Sequence, residues 1–292
     1  MLKNKKKIYP LYFVLPALII YFIFFILPSL SGMFYAFTDW NSRSIHTYQF
    51  VGIENFKKIF SDPNLKLALW NTFFFAVVTV VLKNVVGLAL ALLASNNSML
   101  SGGYMRGIFY LPNFLNMVII GVMFTAILYP TGPLNALLSV FGIQGMDWLN
   151  NRKVAMGSVC LVEVWRTAGF HMIIYLAALK SIPADYFEAA KVDGAGYFQR
   201  LRHIILPLIT QGITINLIFA IINGLKVFDQ VYILTNGGPG NATQVVSTMI
   251  YKMFGNGLWG VGTAYNLVLT VLILLICIGV IVLLKRKEVD YN

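Results

Sequence analysis

FFFAVVTVVLKNVVGLALALL, residues 73–93, contains one charged residue, Lys83, and no proline. A helix of about 18 or more apolar residues crosses the hydrocarbon core of a bilayer, so this stretch alone predicts a membrane span. Comparable runs lie on either side of it, near Leu11–Phe37, Ile108–Tyr129, Ala155–Leu179, Pro207–Leu225 and Ala264–Leu284. Composition agrees. Hydrophobic residues make up 58% of the chain and charged residues 11%, against roughly a quarter charged in soluble domains. The expectation is an all-α membrane protein of about six transmembrane helices, with residues 1–292 forming a single transmembrane domain.

The first run follows Lys3, Lys5, Lys6 and Lys7, as a secretory signal would. It is too long for a signal's apolar core of roughly 7–15 residues and reads as an uncleaved span. Pro16 and Pro28 punctuate it, which neighbouring helices can accommodate. Basic residues set the orientation. Lys3 to Lys7 at one end and Lys285, Arg286 and Lys287 at the other lie directly against spans, so both termini are predicted on the cytoplasmic side. Arg106, Lys180, Lys191, Arg200 and Arg202 fall on that side too. Arg43, Lys57, Lys58, Lys66, Arg152, Lys153, Lys226 and Lys252 fall outside, which leaves a modest inward excess.

Between the spans, Asp39–Trp70 is long and amphipathic, with Ile53, Phe56 and Phe60 spaced like one face of a short interfacial helix. Pro130–Val154 contains Gly132-Pro133-Leu134-Asn135 and a second short helix is expected there. The loop between the second and third spans is small and rich in Gly and Ser.

Several function classes are excluded. The net charge of +11 comes without basic patches interleaved with aromatics in the loops, so nucleic acid is not the partner. Cys160 and Cys277 lie in separate apolar runs, with neither metal-ligand spacing nor a reason to pair. No Gly-x-x-x-x-Gly-Lys-Ser/Thr phosphate loop occurs. The Gly237–Gly240 segment lacks the lysine and reads as a turn. The three histidines, His46, His171 and His203, are scattered, and no set of side chains suggests catalysis. No metal site and no cofactor of its own are expected.

Ionisable groups inside spans are costly and point to function by default. Lys83 sits in the second span; Glu163 and Arg166 sit three apart in the fourth, on one helix face, where they can pair. Either that pair is structural or one member borders a path. Lys83 either snorkels, faces a partner or lines the path. In the fifth span Asn216 and Asn223 are seven apart, nearly on one face, and Lys226, Asp229 and Tyr232 follow.

The loop between the fourth and fifth spans runs from Ser181 to Leu206. Pro183 and Asp185 supply helix-start signals, Gly194 suits a C-terminal stop, and Asp193-Gly194 divides two short helices. Phe187, Val192, Phe198 and Leu201 are apolar residues in a charged loop, so something should cover them. Glu188-Ala189-Ala190, then Asp193-Gly194-Ala195, then Ile204 and Leu206-Pro207, resemble the EAA signature of ABC-importer permeases. Arg106 with Phe109, Leu111 and Pro112 resembles the sugar-permease branch. So does Val227-Phe228-Asp229 followed by Thr235-Asn236-Gly237-Gly238-Pro239-Gly240-Asn241-Ala242-Thr243.

The resemblance implies the type I importer fold and a place in the cytoplasmic membrane of a bacterium. It implies a second homologous permease, a pair of ATP-binding subunits that hold ATP and magnesium, and an extracytoplasmic solute-binding protein. Glu188, Ala189, Ala190, Asp193, Gly194, Ala195 and Pro207 would couple the chain to the ATPase. For a carbohydrate path, amides for hydroxyls and aromatic faces for sugar rings would come from Asn223, Asn216, Lys226, Asp229, Tyr232, Trp165 and Asn266. Interhelical hydrogen bonding is the structural alternative for the asparagines. A permease for an amino acid or a phosphodiester stays open, as does a stand-alone secondary transporter, although no internal repeat supports the last.

Overall fold

A computed structural model describes residues 13–95 and 103–285. Lys3 to Lys7, Arg286 and Lys287, together with most of the small loop after the second span, lie outside the described residues. The described residues form helices joined by short irregular segments, with one isolated bridge between Thr38 and Phe50. The chain divides into two compact units, one holding the residues up to Asp62 with Ile250–Val268, the other Pro63–Met249 with the residues from Leu269.

In the first unit, α1 (Leu15–Tyr35) is exposed along almost its whole length. Apolar side chains left bare along an entire helix are what a lipid-facing span requires. Its second proline is absorbed by a local change of pitch. Proline removes an N–H and crowds the carbonyl four residues earlier, and the turn over Phe22–Ile26 widens to a π-helix just before Leu27-Pro28. Ser29 and Ser31 donate to the Phe25 and Leu27 carbonyls at 2.6 and 2.8 Å, which satisfies backbone oxygens in place of water.

After α1, Tyr35 stacks on Trp40, and Trp40 packs against Trp259. Helix α2 (Glu54–Ser61) follows where a short helix was expected, and the face it turns inward is a different one from the Ile53–Phe60 face. Ile53 and Phe60 are exposed, whereas Asn55 and Ile59 are buried. Asn55 wins a place inside because its amide donates to the Ala36 and Thr38 carbonyls at 2.9 and 2.7 Å, and no apolar side chain could cap those two oxygens.

The second unit is built on α3 (Pro63–Ser95) and α7 (Ala155–Lys180), with α10 (Thr210–Leu225) against both. Helix α3 begins at Pro63, a few turns before the predicted start at Phe73. Helices in lipid associate through close packing and interhelical hydrogen bonds rather than a hydrophobic drive, and both devices are present. A Cβ at Gly87 would lie 2.7 Å from His171 Cβ, and one at Gly169 would lie 2.1 Å from the Phe109 carbonyl oxygen. Tyr175 donates to Asn84 Oδ1 at 2.6 Å. His171 Nδ1 donates to Asn216 Oδ1 at 2.9 Å, and Asn216 returns a bond to the His171 carbonyl at 3.1 Å.

The third and fifth predicted spans are not straight. Helix α4 (Gly103–Tyr110) runs into a 3₁₀ turn, Leu111–Phe114, and α5 (Met117–Ile127) then leaves at 96°. Pro112 ends the regular hydrogen bonding, Leu115 is extended, and Asn116 caps α5 by accepting from the Val118 N–H at 2.8 Å. Near the other break, α8 (Ala184–Val192) precedes α9 (Tyr197–Leu208), and α10 departs from α9 at 71° around Ile209. Pro207 therefore belongs to the helix before the bend and does not open the span. The α9 turn over Leu201–Ile205 is again a π-helix followed by Leu-Pro, the solution used in α1. Short helices α6 (Pro133–Val140), α11 (Asp229–Leu234) and α12 (Val246–Gly255) precede the last span, α13 (Trp259–Lys285), which starts earlier than Ala264. Both cysteines are buried and unpaired.

Candidate functional site: a polar cavity and a short helix pair

Two regions of the second unit hold most of the residues expected to matter. The first is a cavity of about 360 Å³ bordered by α3, α7, the C-terminal end of α10 and the start of α11. Its lining includes Lys83, Asn113, Glu163, Arg166, Asn223, Lys226, Asp229 and Gln230. That concentration of polar groups is foreign to a lipid-facing surface.

One carboxylate organises the wall. Lys83 Nζ donates to Glu163 Oε1 at 2.6 Å, and Arg166 donates to Oε2 through Nε and Nη2 at 3.2 and 3.1 Å. Gln230 Nε2 adds a bond to Oε2 at 2.5 Å. The expected Glu163–Arg166 pair is present, and Lys83 neither snorkels nor stands alone. Its partner lies 80 residues away in sequence. What sequence reading missed was the match of two opposite charges in different spans, and Gln230, which no motif had singled out.

The seven residues nominated for a path separate. Asn223, Lys226 and Asp229 border the cavity. Asn216 does not, because it is fully buried and both ends of its amide are used on His171. One face of α10 thus carries a structural asparagine at one level and a cavity asparagine two turns later. Trp165 is partly exposed and meets Phe124 edge-on at 5.1 Å; Tyr232 stacks on Phe228 at 5.2 Å. Asn266 is exposed and belongs to the first unit.

The second region is the α8–α9 pair. Helix α8 ends in two reverse bonds, Ala195 N–H to the Ala190 carbonyl at 2.9 Å and Gly194 N–H to the Lys191 carbonyl at 3.2 Å. This closure is the Schellman pattern, and it requires a left-handed residue. Gly194 supplies it at φ +70°. Ala190 is buried, while Glu188, Ala189, Asp193 and Gly194 are exposed and Ala195 and Pro207 are half-buried. Of the four apolar loop residues, Phe187 and Leu201 pack against the core formed by α3, α7 and Ile205. Val192 and Phe198 stay 88% and 80% exposed. Beneath the pair is a cavity of about 750 Å³ lined by Ala89, Leu92, Phe187, Tyr197 and Arg200 among others.

The Gly237–Gly240 segment is a turn, as expected. Thr243 donates to the Gly238 carbonyl at 2.6 Å and pairs with Thr235 at 2.7 Å.

Residues 83–287, more than half of the chain, match the family model described as binding-protein-dependent transport system inner membrane component. The chain belongs to that family. This transport component is 33% identical over 279 residues to the probable starch degradation products transport system permease protein of Thermoanaerobacterium thermosulfurigenes, covering 95% of this chain and 94% of the relative. It is 33% identical over 226 residues to the trehalose/maltose transport system permease protein of Thermococcus litoralis, covering 77% and 76%. Its fold matches the crystal structure of a bacterial ABC transporter involved in the import of the acidic polysaccharide alginate, with a TM-score of 0.79, 25% identity and 94% of each chain covered. A second structure of an alginate transporter, in complex with a periplasmic protein that holds an alginate pentasaccharide, gives the same TM-score at 28% identity and 92% coverage of each. The permease is thus a multi-pass membrane protein with the type I ABC importer fold.

Proposed function

We propose that this permease moves a carbohydrate inward across the cytoplasmic membrane, pairing with a second permease and driven by two ATP-binding subunits that hold ATP and magnesium. The observation that carries the substrate class is the agreement of relatives named for starch degradation products and trehalose/maltose with a neighbour that imports a polysaccharide. The polar cavity supports it physically. Amide, carboxylate and cationic side chains around one space suit a neutral, hydroxyl-rich solute, which exchanges water hydrogen bonds for protein ones. On this reading Asn223, Lys226 and Asp229, which border the cavity, meet the solute.

The energy enters through the α8–α9 pair. Glu188, Ala189, Ala190, Asp193, Gly194 and Ala195 form a rigid helix end and turn, and Val192 and Phe198 offer apolar side chains to a docking subunit. Movement of this pair passes to α7 and α10, which it joins. Both termini then lie on the ATPase side, and an external binding protein delivers the solute at the opposite face.

Purification from the native membrane in mild detergent tests this reading. The expected co-purifying set is an ATPase, a second permease and a binding protein, and the last should bind a maltodextrin. A chain that comes down alone, without ATPase activity, supports a stand-alone transporter instead.

A further inference from the structure

Glu163 holds more cationic charge than it can neutralise. Two cations, Lys83 from α3 and Arg166 from α7, share one carboxylate, and Gln230 of α11 completes its shell. Exposure is graded through the group. The Lys83 side chain is 1% exposed, that of Glu163 4%, and that of Arg166 23%. All three border the cavity, and the guanidinium is the most exposed of them. A guanidinium carries five N–H donors in one rigid plane. Glu163 takes two of them, at Nε and Nη2.

A helical Glu–Arg pair three residues apart needs no third charge to form. Burying Lys83 beside it carries a desolvation cost that the Glu163–Arg166 pair alone does not require. The arrangement makes sense as a clamp. With Oε1 fixed by Lys83 and Oε2 by Gln230, the carboxylate has little freedom to turn, so the plane of the guanidinium is fixed as well. Gln230 stands next to Asp229, so the same carboxylate also anchors the start of α11, on which Asp229 borders the cavity.

We propose that Glu163 is a positioning residue, braced by Lys83 and Gln230, and that the Arg166 guanidinium it holds is a solute-contacting group that donates to hydroxyl oxygens of the passing carbohydrate. This assignment rests on the reading of the cavity as part of the translocation path. It decides the choice the sequence left open, between a structural Glu163–Arg166 pair and one that borders a path, by giving the pair a part in each, and gives the buried charges a purpose beyond cohesion.

The test uses the complete importer in proteoliposomes with its ATPase and binding protein, with radiolabelled maltodextrin as the probe. Uptake and ATP hydrolysis are measured together. Arg166→Gln should lower uptake per ATP hydrolysed by about tenfold or more, the factor expected for loss of one hydrogen bond to a charged group. Arg166→Lys, which keeps the charge but loses the fork, should fall between. Glu163→Gln alone would strand Lys83, so the decisive variant is Lys83→Met with Glu163→Gln, which removes the buried ammonium together with its carboxylate and leaves Arg166, 23% exposed, as the remaining charge of the group. It should fall to the Arg166→Gln level, and adding Arg166→Gln to it should cause no further loss. Wild-type uptake in the double variant, or a triple variant whose losses multiply, overturns the positioning role. Asn223→Ala separates the two layers of the argument. If it slows uptake while the Arg166 and Lys83/Glu163 variants transport normally, the path stands and the clamp is wrong. If it and the others all transport normally, the path reading fails and takes the proposal with it.

Discussion

At the scale of single residues, Lys83 and Glu163 are bound to each other by an asymmetry that can be measured. Removing Lys83 leaves Glu163 with Arg166 and Gln230, whereas removing Glu163 leaves an ammonium at 1% exposure with no counter-charge. Breaking a buried pair on the unpaired side costs about 3–5 kcal/mol. Glu163→Gln should therefore reduce the amount of folded protein in the membrane more than Lys83→Met does, as read by detergent melting curves of the purified chain; equal losses would contradict the shared carboxylate. Gly169 provides a second check. Its missing Cβ would lie 2.1 Å from the Phe109 carbonyl oxygen, so Gly169→Ala should lower the melting temperature although it is a favourable substitution in an isolated helix. The i, i+3 pair Glu163–Arg166 was legible in the sequence because helical spacing alone makes it. The Lys83 bond was not, because only the packing of α3 on α7 brings it about. Asn216 and Asn223 show the same limit. Their spacing puts them on one face, but whether an amide meets a histidine or a cavity depends on the opposing helix.

At the scale of elements, apolar length was enough to find each run, and Pro112 with Asn116 marks the α4–α5 bend whereas Pro28 is absorbed within an unbroken α1. The α4–α5 and α9–α10 breaks escaped sequence reading because a continuous apolar run hides an extended Leu115 or a turn at Ile209. The α8–α9 pair was legible in detail, since Pro183, Asp193 and Gly194 are strong local signals whose effect needs no tertiary partner. Its stop depends on Gly194 at φ +70°, a conformation that costs a residue with a Cβ about 1–2 kcal/mol. Gly194→Ala should redirect α9 and, together with Glu188→Ala, uncouple the importer. Uptake should fall severalfold while the chain remains in the membrane, and undiminished uptake in both variants would count against coupling at this segment. Val192→Asp and Phe198→Ser change side chains that are already exposed in this chain. They should leave its melting curve unchanged and reduce the ATPase recovered with it; full recovery would move the docking surface elsewhere.

At the scale of the whole molecule, function follows from a division of labour. The sequence has no Gly-x-x-x-x-Gly-Lys-Ser/Thr phosphate loop, and one helical unit carries a polar cavity and the α8–α9 pair, through which the proposal brings in outside work. Family membership supplies the dependence on a binding protein, and the proposal of a carbohydrate rests on the substrates for which the relatives are named. The most direct measurement of that account is uptake of labelled maltodextrin by proteoliposomes holding the assembled importer, with ATP inside and the binding protein outside. Accumulation that needs ATP and the binding protein, and that survives collapse of ion gradients, is the predicted result. Uptake that proceeds without ATP and stops when an ion gradient is dissipated would contradict it.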